Sequence, residues 1–354
     1  MRSVAVDTKA RSYEILIEEG VLDNPAEHLE KVWTRRRCVI LTDTNVYPLY
    51  AKKVSKNLSE AGFENIVITV EAGEKSKSWQ TLSNVVSQIA DFGLTRGDGL
   101  IALGGGVVGD LGGLCASLYM RGISFVQFPT SLLAQVDSSV GGKTAIDIAQ
   151  GKNLVGTFYQ PDLVLIDPLV LKTLDERVTV EGYAEVVKCA AMVGGTFWQL
   201  IEKIDDARAI LKHAPELIQR SVEFKAEVVT KDEKEGGLRK LLNFGHSIGH
   251  AVELLADGRL LHGEAISIGL AEVNRIFESR GLTEKGMTQA ICDRLQAVGL
   301  PLEDELLSDL RVTDIMKHDK KVSKAALTFV YLKKIGEPEM FSVSLDELQR
   351  FIEK

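Results

Sequence analysis

Eight of the chain's 31 glycines crowd into residues 97–113, around the apolar run Leu100, Ile101, Ala102 and Leu103. An apolar run turning at Gly104, Gly105 and Gly106 reads as a buried strand entering a helix. Glycine lets the backbone turn tightly there and leaves the N–H groups of the helix start uncovered. That junction points to an α/β architecture. Other β-rich runs, at residues 39–42, 66–70, 99–103, 124–128 and 163–166, alternate with helical patterns, which predicts a parallel sheet flanked by helices. One crossover helix is expected between Asp43 and Ile66, with Pro48 near its first turn and Gly62 beyond its end. A second is expected over residues 78–92, before Gly93. Tyr13, Ile15 and Ile17 alternate with more polar neighbours and suggest an antiparallel pair ahead of the parallel sheet.

Asp167 followed by Pro168 reads as a helix cap with proline at the first helical position. From there the pattern is helical until about residue 325. Ile266, Leu270, Val273 and Phe277 form the clearest core stripe. Strand character returns at residues 327–332, and an amphipathic helix is expected at 345–352. For 354 residues this gives two domains. They are an α/β domain with a parallel Rossmann-like sheet, residues 1–167, and a mainly α-helical C-terminal domain, residues 168–354. A cleft between two such halves is a usual place for a ligand.

Net charge is −8 and no long basic run appears, so nucleic acid is not an expected partner. The longest uncharged stretch, between Arg121 and Asp137, contains Pro129 and is shorter than the roughly 18 residues a bilayer span needs, so no membrane partner is expected. The start, Met1-Arg2-Ser3-Val4-Ala5-Val6-Asp7, lacks the apolar region of a secretory signal, and a cytoplasmic protein is expected. Cys38, Cys115, Cys189 and Cys292 show no C-x-x-C spacing and read as buried thiols.

Gly104, Gly106 and Gly109 satisfy G-x-G-x-x-G, but no acid ends the next strand, where Phe128 is followed by Pro129 and Thr130. The loop therefore suits a phosphate without being the ordinary dinucleotide fingerprint; tight strand–helix packing is the alternative for its glycines, and the phosphate reading is favoured. Asp43, after the strand at 39–42, suits either a ribose contact or a helix cap. Gly141-Gly142-Lys143-Thr144 resembles the end of a phosphate-binding P-loop, but Asp137 stands where its first glycine belongs, which disfavours an NTPase.

Three of the six histidines cluster: His246 and His250, four apart on one helical face, and His262 in His262-Gly263-Glu264. Neutral imidazoles with a carboxylate suit a metal and leave a position for a substrate oxygen. Ser247 stands where a metalloprotease carries its glutamate, which disfavours proteolysis. Hydrogen-bonded core or capping histidines are the alternative, and spacing does not choose between them. Glu181 and Glu185 lie one turn apart in an apolar segment and need partners, for which salt bridging to Lys188 competes.

Taken in order, several segments resemble the 3-dehydroquinate synthases, of the sugar-phosphate cyclase branch related to metal-dependent polyol dehydrogenases. They are Gly73-Glu74-Lys75, then Gly104-Gly105-Gly106-Val107-Val108-Gly109-Asp110, then Gln135-Val136-Asp137-Ser138-Ser139-Val140-Gly141-Gly142-Lys143-Thr144. Gly151-Lys152-Asn153, Ala184-Glu185-Val186-Val187-Lys188 and the histidine motifs follow. The family often has Asp, Tyr and Gly where Ala72, Ser76 and Ala145 stand.

The resemblance implies zinc, with cobalt as a substitute, on Glu185, His246 and His262, and His250 beside the substrate. It implies NAD held by Asp43, by Gly73, Glu74, Lys75, Ser76 and Lys77, and by Gly106, Val107, Val108, Gly109 and Asp110. Thr130, Ser131, Lys143, Lys152, Leu171, Lys172 and Thr173 complete that set. The implied substrate is 3-deoxy-D-arabino-heptulosonate 7-phosphate (DAHP), meeting Lys143, Asn153, Asn243 and Lys320 near its phosphate and Lys225 and Arg239 near its carboxylate. Arg121, from a second subunit, joins the phosphate site, and Asp137 and Lys188 belong to the catalytic set. A homodimer is implied.

The implied reaction gives 3-dehydroquinate and phosphate through transient NAD oxidation, phosphate elimination, re-reduction, ring opening and aldol closure, within the shikimate pathway of aromatic amino acid biosynthesis. The chain is thus expected to be a carbon–oxygen lyase. A zinc-dependent NAD polyol or glycerol-phosphate dehydrogenase is the alternative; Lys225, Arg239, Asn243 and Lys320, unneeded by a small neutral alcohol, argue against it. A non-catalytic NAD or metal sensor is a third reading.

Overall fold

The computed structural model describes residues 1–34, 36–317, 322–323 and 326–352. The chain divides into two compact units, Met1–Leu174 with Lys225–Lys234, and Asp175–Phe224 with Glu235–Lys354.

In the first unit the strands are β1 (Arg2–Asp7), β2 (Ser12–Ile17), β3 (Arg37–Asp43), β4 (Glu64–Val70), β5 (Gly99–Gly104), β6 (Ser124–Pro129), β7 (Lys143–Ile148), β8 (Gly151–Phe158) and β9 (Leu163–Ile166). Four helices accompany them: α1 (Ala26–Val32), α2 (Lys52–Glu60), α3 (Trp79–Asp91) and α4 (Gly106–Leu118). Seven strands form one sheet in the order β1-β2-β9-β6-β5-β3-β4. β1 and β2 run antiparallel and every other pairing in it is parallel. All five parallel strands and the leading antiparallel pair thus lie where the sequence patterns put them.

Burial on both faces explains why β3 and β5 read as continuous apolar runs. Along β3, Cys38 and Ile40 join one core cluster and Val39 and Leu41 the other, as a period of two requires. All four cysteines are buried, and desolvation pushes the Cys38 and Cys115 thiols up to about 12. Pro48 sits in a π turn, Tyr47–Ala51, that leads into α2, and the Ser78 hydroxyl caps α3 by accepting from Thr81 N.

One element was not among the expected strands. β7, opened by Lys143 and Thr144, and β8 form an antiparallel hairpin outside the main sheet. The hairpin packs against α4, where a Cβ on Gly113 would come within 2.4 Å of Thr144 Cγ2.

The second unit is built from α5 (Glu176–Val193), α6 (Gly195–Ile201), most of α7 (Ala207–Lys231), α8 (His246–Ala256), α9 (His262–Ser279), α10 (Met287–Ala297), α11 (Leu310–Lys317) and α12 (Leu348–Ile352). The Asp167 cap holds as expected, its carboxylate accepting from Leu169 N, but the turn it starts ends at Thr173 and α5 begins only at Glu176. The expected core stripe is buried on α9. A small antiparallel sheet orders β10 (Val322–Ser323), β11 (Ala326–Leu332) and β12 (Pro338–Ser344). β12 was not expected, and the final helix begins only at Leu348, after a turn over residues 345–347 in which Glu347 N donates to Ser344 O.

Glycines let α8 and α9 touch main chain to main chain. A Cβ on Gly269 would sit 2.1 Å from Gly245 O, and one on Gly249 would sit 3.0 Å from Ala265 O. Among the described residues no helix is long and apolar enough to cross a membrane.

Candidate active-site residues

Within the first unit, Asp43 and Gly104 end the neighbouring parallel strands β3 and β5. The chain passes from β3 outward to β4 and returns past β3 to β5, so a topological switch point lies between these two ends, the place where open α/β sheets bind ligands. α4 starts at Gly106, and its cap residue Gly105 offers no side-chain acceptor to the first-turn N–H groups. Cβ atoms on Gly105 and Gly106 would approach the hydroxyls of Ser131 and Ser138 at 3.4 and 3.1 Å.

The other glycines of the loop serve packing. A Cβ on Gly104 would meet Val108 at 2.6 Å, and one on Gly109 would meet Gln127 Oε1 at 2.8 Å. Val108 is turned into the core. Asp43 Oδ1 accepts from Asn45 N and Val46 N and closes the turn after β3, while the cap position of the following helical turn is Val46. Thr130 N donates to Gly104 O, and Ser131 Oγ accepts from Ala134 N. In the turn after Asp167, Leu171 is buried, Lys172 and Thr173 are exposed, and Thr173 Oγ1 lies 2.7 Å from the Tyr50 hydroxyl.

Gly73, at a φ of +104°, opens the turn carrying Glu74, Lys75 and Ser76, and Ser76 Oγ donates to Glu71 O. Lys77, almost fully buried, gathers Asp110 at 2.8 Å, Glu74 at 3.5 Å and Asn153 Oδ1. Burial alone would depress its ammonium, but the charges of Asp110 and Glu74 outweigh that and hold it above the usual lysine value. Burial pushes the Asp110 carboxyl up, against the pull of Lys77. Asn153 is held in turn by its N–H to Asp147 Oδ1. Glu74, Lys77 and Asp110, assigned to the cofactor, and Asn153, assigned to the substrate, thus form one cluster. Lys143, Lys152 and Arg121 are exposed, the last in a turn where Met120 and Arg121 both have positive φ. Lys225, on the end of α7 that belongs to the first unit, donates to Asp137 and is buried.

In the second unit, α5 carries Glu181, Glu185 and Lys188 on buried turns. Glu185 is 0% exposed, and its Oε1 lies 3.4 Å from His246 Nε2 and 3.8 Å from His262 Nε2. Neither of its oxygens meets a hydrogen-bond donor in acceptable geometry among the described residues, although Lys188 Nζ lies against Oε2 and also donates to Leu242 O. The salt bridge weighed as a rival is therefore present for Glu185 and faces away from the histidines. Glu181 instead accepts from Gly263 N, and burial pushes its carboxyl up.

The ligand atoms of His246, His250 and His262 lie within 4.8 Å of one another. His246 Nδ1 is 3.0 Å from Phe244 O and His262 Nδ1 is 3.0 Å from Glu253 Oε2. Each contact takes up the Nδ1 proton and leaves the Nε2 lone pair on the side toward Glu185, free to bind a metal. Burial works to depress His262, but the hydrogen bond to Glu253 and the charges of Glu253, Glu185 and Glu181 push it up to about 9. The turn before His262 is fastened by Glu264, which accepts from Leu261 N and takes both Arg177 Nε and a second Arg177 nitrogen.

Arg239 is 1% exposed and Asn243 donates to Glu235 Oε1, both on the turn Leu238–Asn243. Lys320 lies outside the described residues. Sequence reasoning passed over Glu253 and Glu235. Glu253 falls three residues after His250 and seven after His246, on their face of α8, and that spacing was the available signal.

Family models match in two consecutive segments: 3-dehydroquinate synthase N-terminal at residues 67–181 and 3-dehydroquinate synthase C-terminal at residues 182–322. The chain belongs to the 3-dehydroquinate synthase family. A family member from Lactiplantibacillus plantarum is 54% identical over 98% of this chain and 97% of its own. Among solved structures, 2-epi-5-epi-valiolone synthase from Streptomyces hygroscopicus, with NAD+ and Zn2+ bound, matches at a TM-score of 0.88 and 28% identity over 99% of this chain and 98% of that one. 2-Deoxy-scyllo-inosose synthase in complex with carbaglucose-6-phosphate, NAD+ and Co2+ matches in fold, with a TM-score of 0.89 at 24% identity over 99% of both chains. The fold is that of the sugar-phosphate cyclases, and the chain is an enzyme of the 3-dehydroquinate synthase type.

Proposed function

We propose that the chain converts DAHP to 3-dehydroquinate and inorganic phosphate, with NAD returned unchanged and a divalent cation, zinc, held by Glu185, His246 and His262. The observation that carries this reading is the convergence of both imidazole Nε2 atoms on Oε1 of the fully buried Glu185. Lys188 lies against Oε2 of that buried carboxylate, and at Oε1, which has no hydrogen bond among the described residues, two nitrogens with one oxygen form a donor set that zinc accepts with a position left open. When bound, the metal supplies Lewis-acid polarisation of substrate oxygens, and NAD supplies a hydride acceptor that is also a hydride donor.

The remaining residues bind and orient. Gly105 and Gly106 leave the first-turn N–H groups of α4 open to a pyrophosphate, and Asp43, at the end of β3, suits a ribose hydroxyl. Arg239 and Lys225 are cations withdrawn from water, and such cations pair strongly with a substrate carboxylate. Lys143, Asn153, Asn243 and Lys320 serve the phosphate, with Arg121 reaching it from a second subunit of a homodimer. His250, beside the two ligands, moves protons at its ring nitrogen, and Lys188 pairs with the Glu185 carboxylate. A cytoplasmic location follows from the same reading.

The test incubates purified protein with DAHP, catalytic NAD and zinc, following inorganic phosphate and the nicotinamide absorbance together. Phosphate released in step with DAHP consumed, without net NADH, and a product identified as 3-dehydroquinate are expected. Absence of phosphate release, with NADH accumulating on a polyol, overturns the reading in favour of a dehydrogenase.

A further inference from the structure

The geometry assigns to Glu253 the positioning of His262 for metal binding, an inference that rests on the ligand set proposed above. Glu253 Oε2 lies 3.0 Å from His262 Nδ1, and the Glu253 side chain is only 11% exposed. An imidazole that gives its Nδ1 proton to a carboxylate presents its lone pair at Nε2, and the negative charge behind the ring makes that lone pair more basic. Nε2 is the atom that faces Glu185 Oε1.

The two histidine ligands are held differently. His246 rests on a neutral carbonyl, Phe244 O, which follows from its place at the start of α8. His262 starts α9, and its partner comes from the neighbouring helix, two turns along α8 from His246. α8 therefore carries one proposed ligand and the orienting group of another. A tie between the helices is not what the contact is needed for, since main-chain approach at Gly249 and Gly269 already joins them. The carboxylate instead fixes which nitrogen His262 offers and where.

Glu253→Ala and Glu253→Gln variants of the full chain test this. Zinc affinity is measured by competition with a chromophoric chelator, the visible bands of the cobalt-loaded protein are recorded, and the metal-free forms are melted. Glu253→Ala is expected to bind zinc about 10- to 100-fold more weakly and to shift the cobalt bands. Glu253→Gln, whose amide oxygen still accepts from Nδ1, is expected to lose less, and it carries the test if the alanine variant does not fold. Parent-like zinc affinity and cobalt bands in both variants, even with a lowered melting temperature, overturn the assignment and leave Glu253 a structural link. A parent chain that binds neither metal overturns the ligand set itself, and the role of Glu253 with it.

Discussion

Lys225 Nζ donates to both the main-chain carbonyl and the carboxylate Oδ1 of Asp137, at 2.7 Å each. The lysine side chain is 8% exposed and the aspartate 26%, so the cation depends on this partner more than the anion does. Lys225→Ala removes the ammonium shared by the Asp137 carboxylate and carbonyl; because Asp137 reaches water, the loss should fall below that of a fully buried pair, at about 1–3 kcal/mol. In urea melts, a double-mutant cycle with Asp137→Ala is expected to give a coupling of roughly 0.5–3 kcal/mol. Strictly additive single effects would show that the pair contributes nothing.

Arg259 and Asp304 form a two-pronged ion pair at 2.8 Å and 2.8 Å, and Asp304 also accepts from Leu306 N. Arg259 belongs to the turn that delivers His262, and its carbonyl accepts from Arg177. The hydrogen bond from Arg259 holds the Asp304 carboxyl below its ordinary value. A depressed folded-state value means that the stabilisation is complete above the unfolded value of about 3.9 and is lost as pH falls through the folded one. Asp304→Asn keeps the cap but loses the charge. It should melt below the parent at pH 7, by an amount equivalent to less than about 1 kcal/mol, with a gap that holds to about pH 4 and closes below it. A gap that widens on acidification would contradict the sign.

The two kinds of strand explain what the sequence made legible. β3 and β5 are covered on both faces, so Val39 and Leu100 stand in uninterrupted apolar runs that only a buried strand suits. β8 pairs with β7 alone, and its Lys152, Asn153 and Leu154 are exposed, so no apolar pattern announced it. Gly141 and Gly142 ahead of Lys143 then drew attention as a phosphate loop, when both adopt positive φ in the turn into a hairpin. At the histidines, the four-residue spacing put His246 and His250 on one face without selecting ligands. Glu185 lies on α5, about sixty residues before His246 in the chain, so local spacing could not connect them. The spacing of Glu253 from His246 and His250 put it on their face of α8, but its partner His262 comes from α9, which local spacing does not reach.

That packing is itself open to test at Gly269. A Cβ there would lie 2.1 Å from Gly245 O and 2.7 Å from Gly249 N, both main-chain atoms that no side-chain rotation can move aside. Gly269→Ala must therefore push α9 off α8. Since His246 begins one helix and His262 the other, the separation also pulls their Nε2 atoms away from a shared position opposite Glu185. The expected loss is about 1–3 kcal/mol in a denaturant melt, as for an overpacked core, together with loss of bound zinc on gel filtration. Gly97→Ala is the control, because a Cβ there meets only Thr95 Oγ1 at 3.7 Å, an ordinary contact, and should leave stability within about 0.5 kcal/mol. Zinc retention and a melt equal to the control in Gly269→Ala would mean that the helices accommodate a methyl group, and that their close approach does not set the histidine geometry.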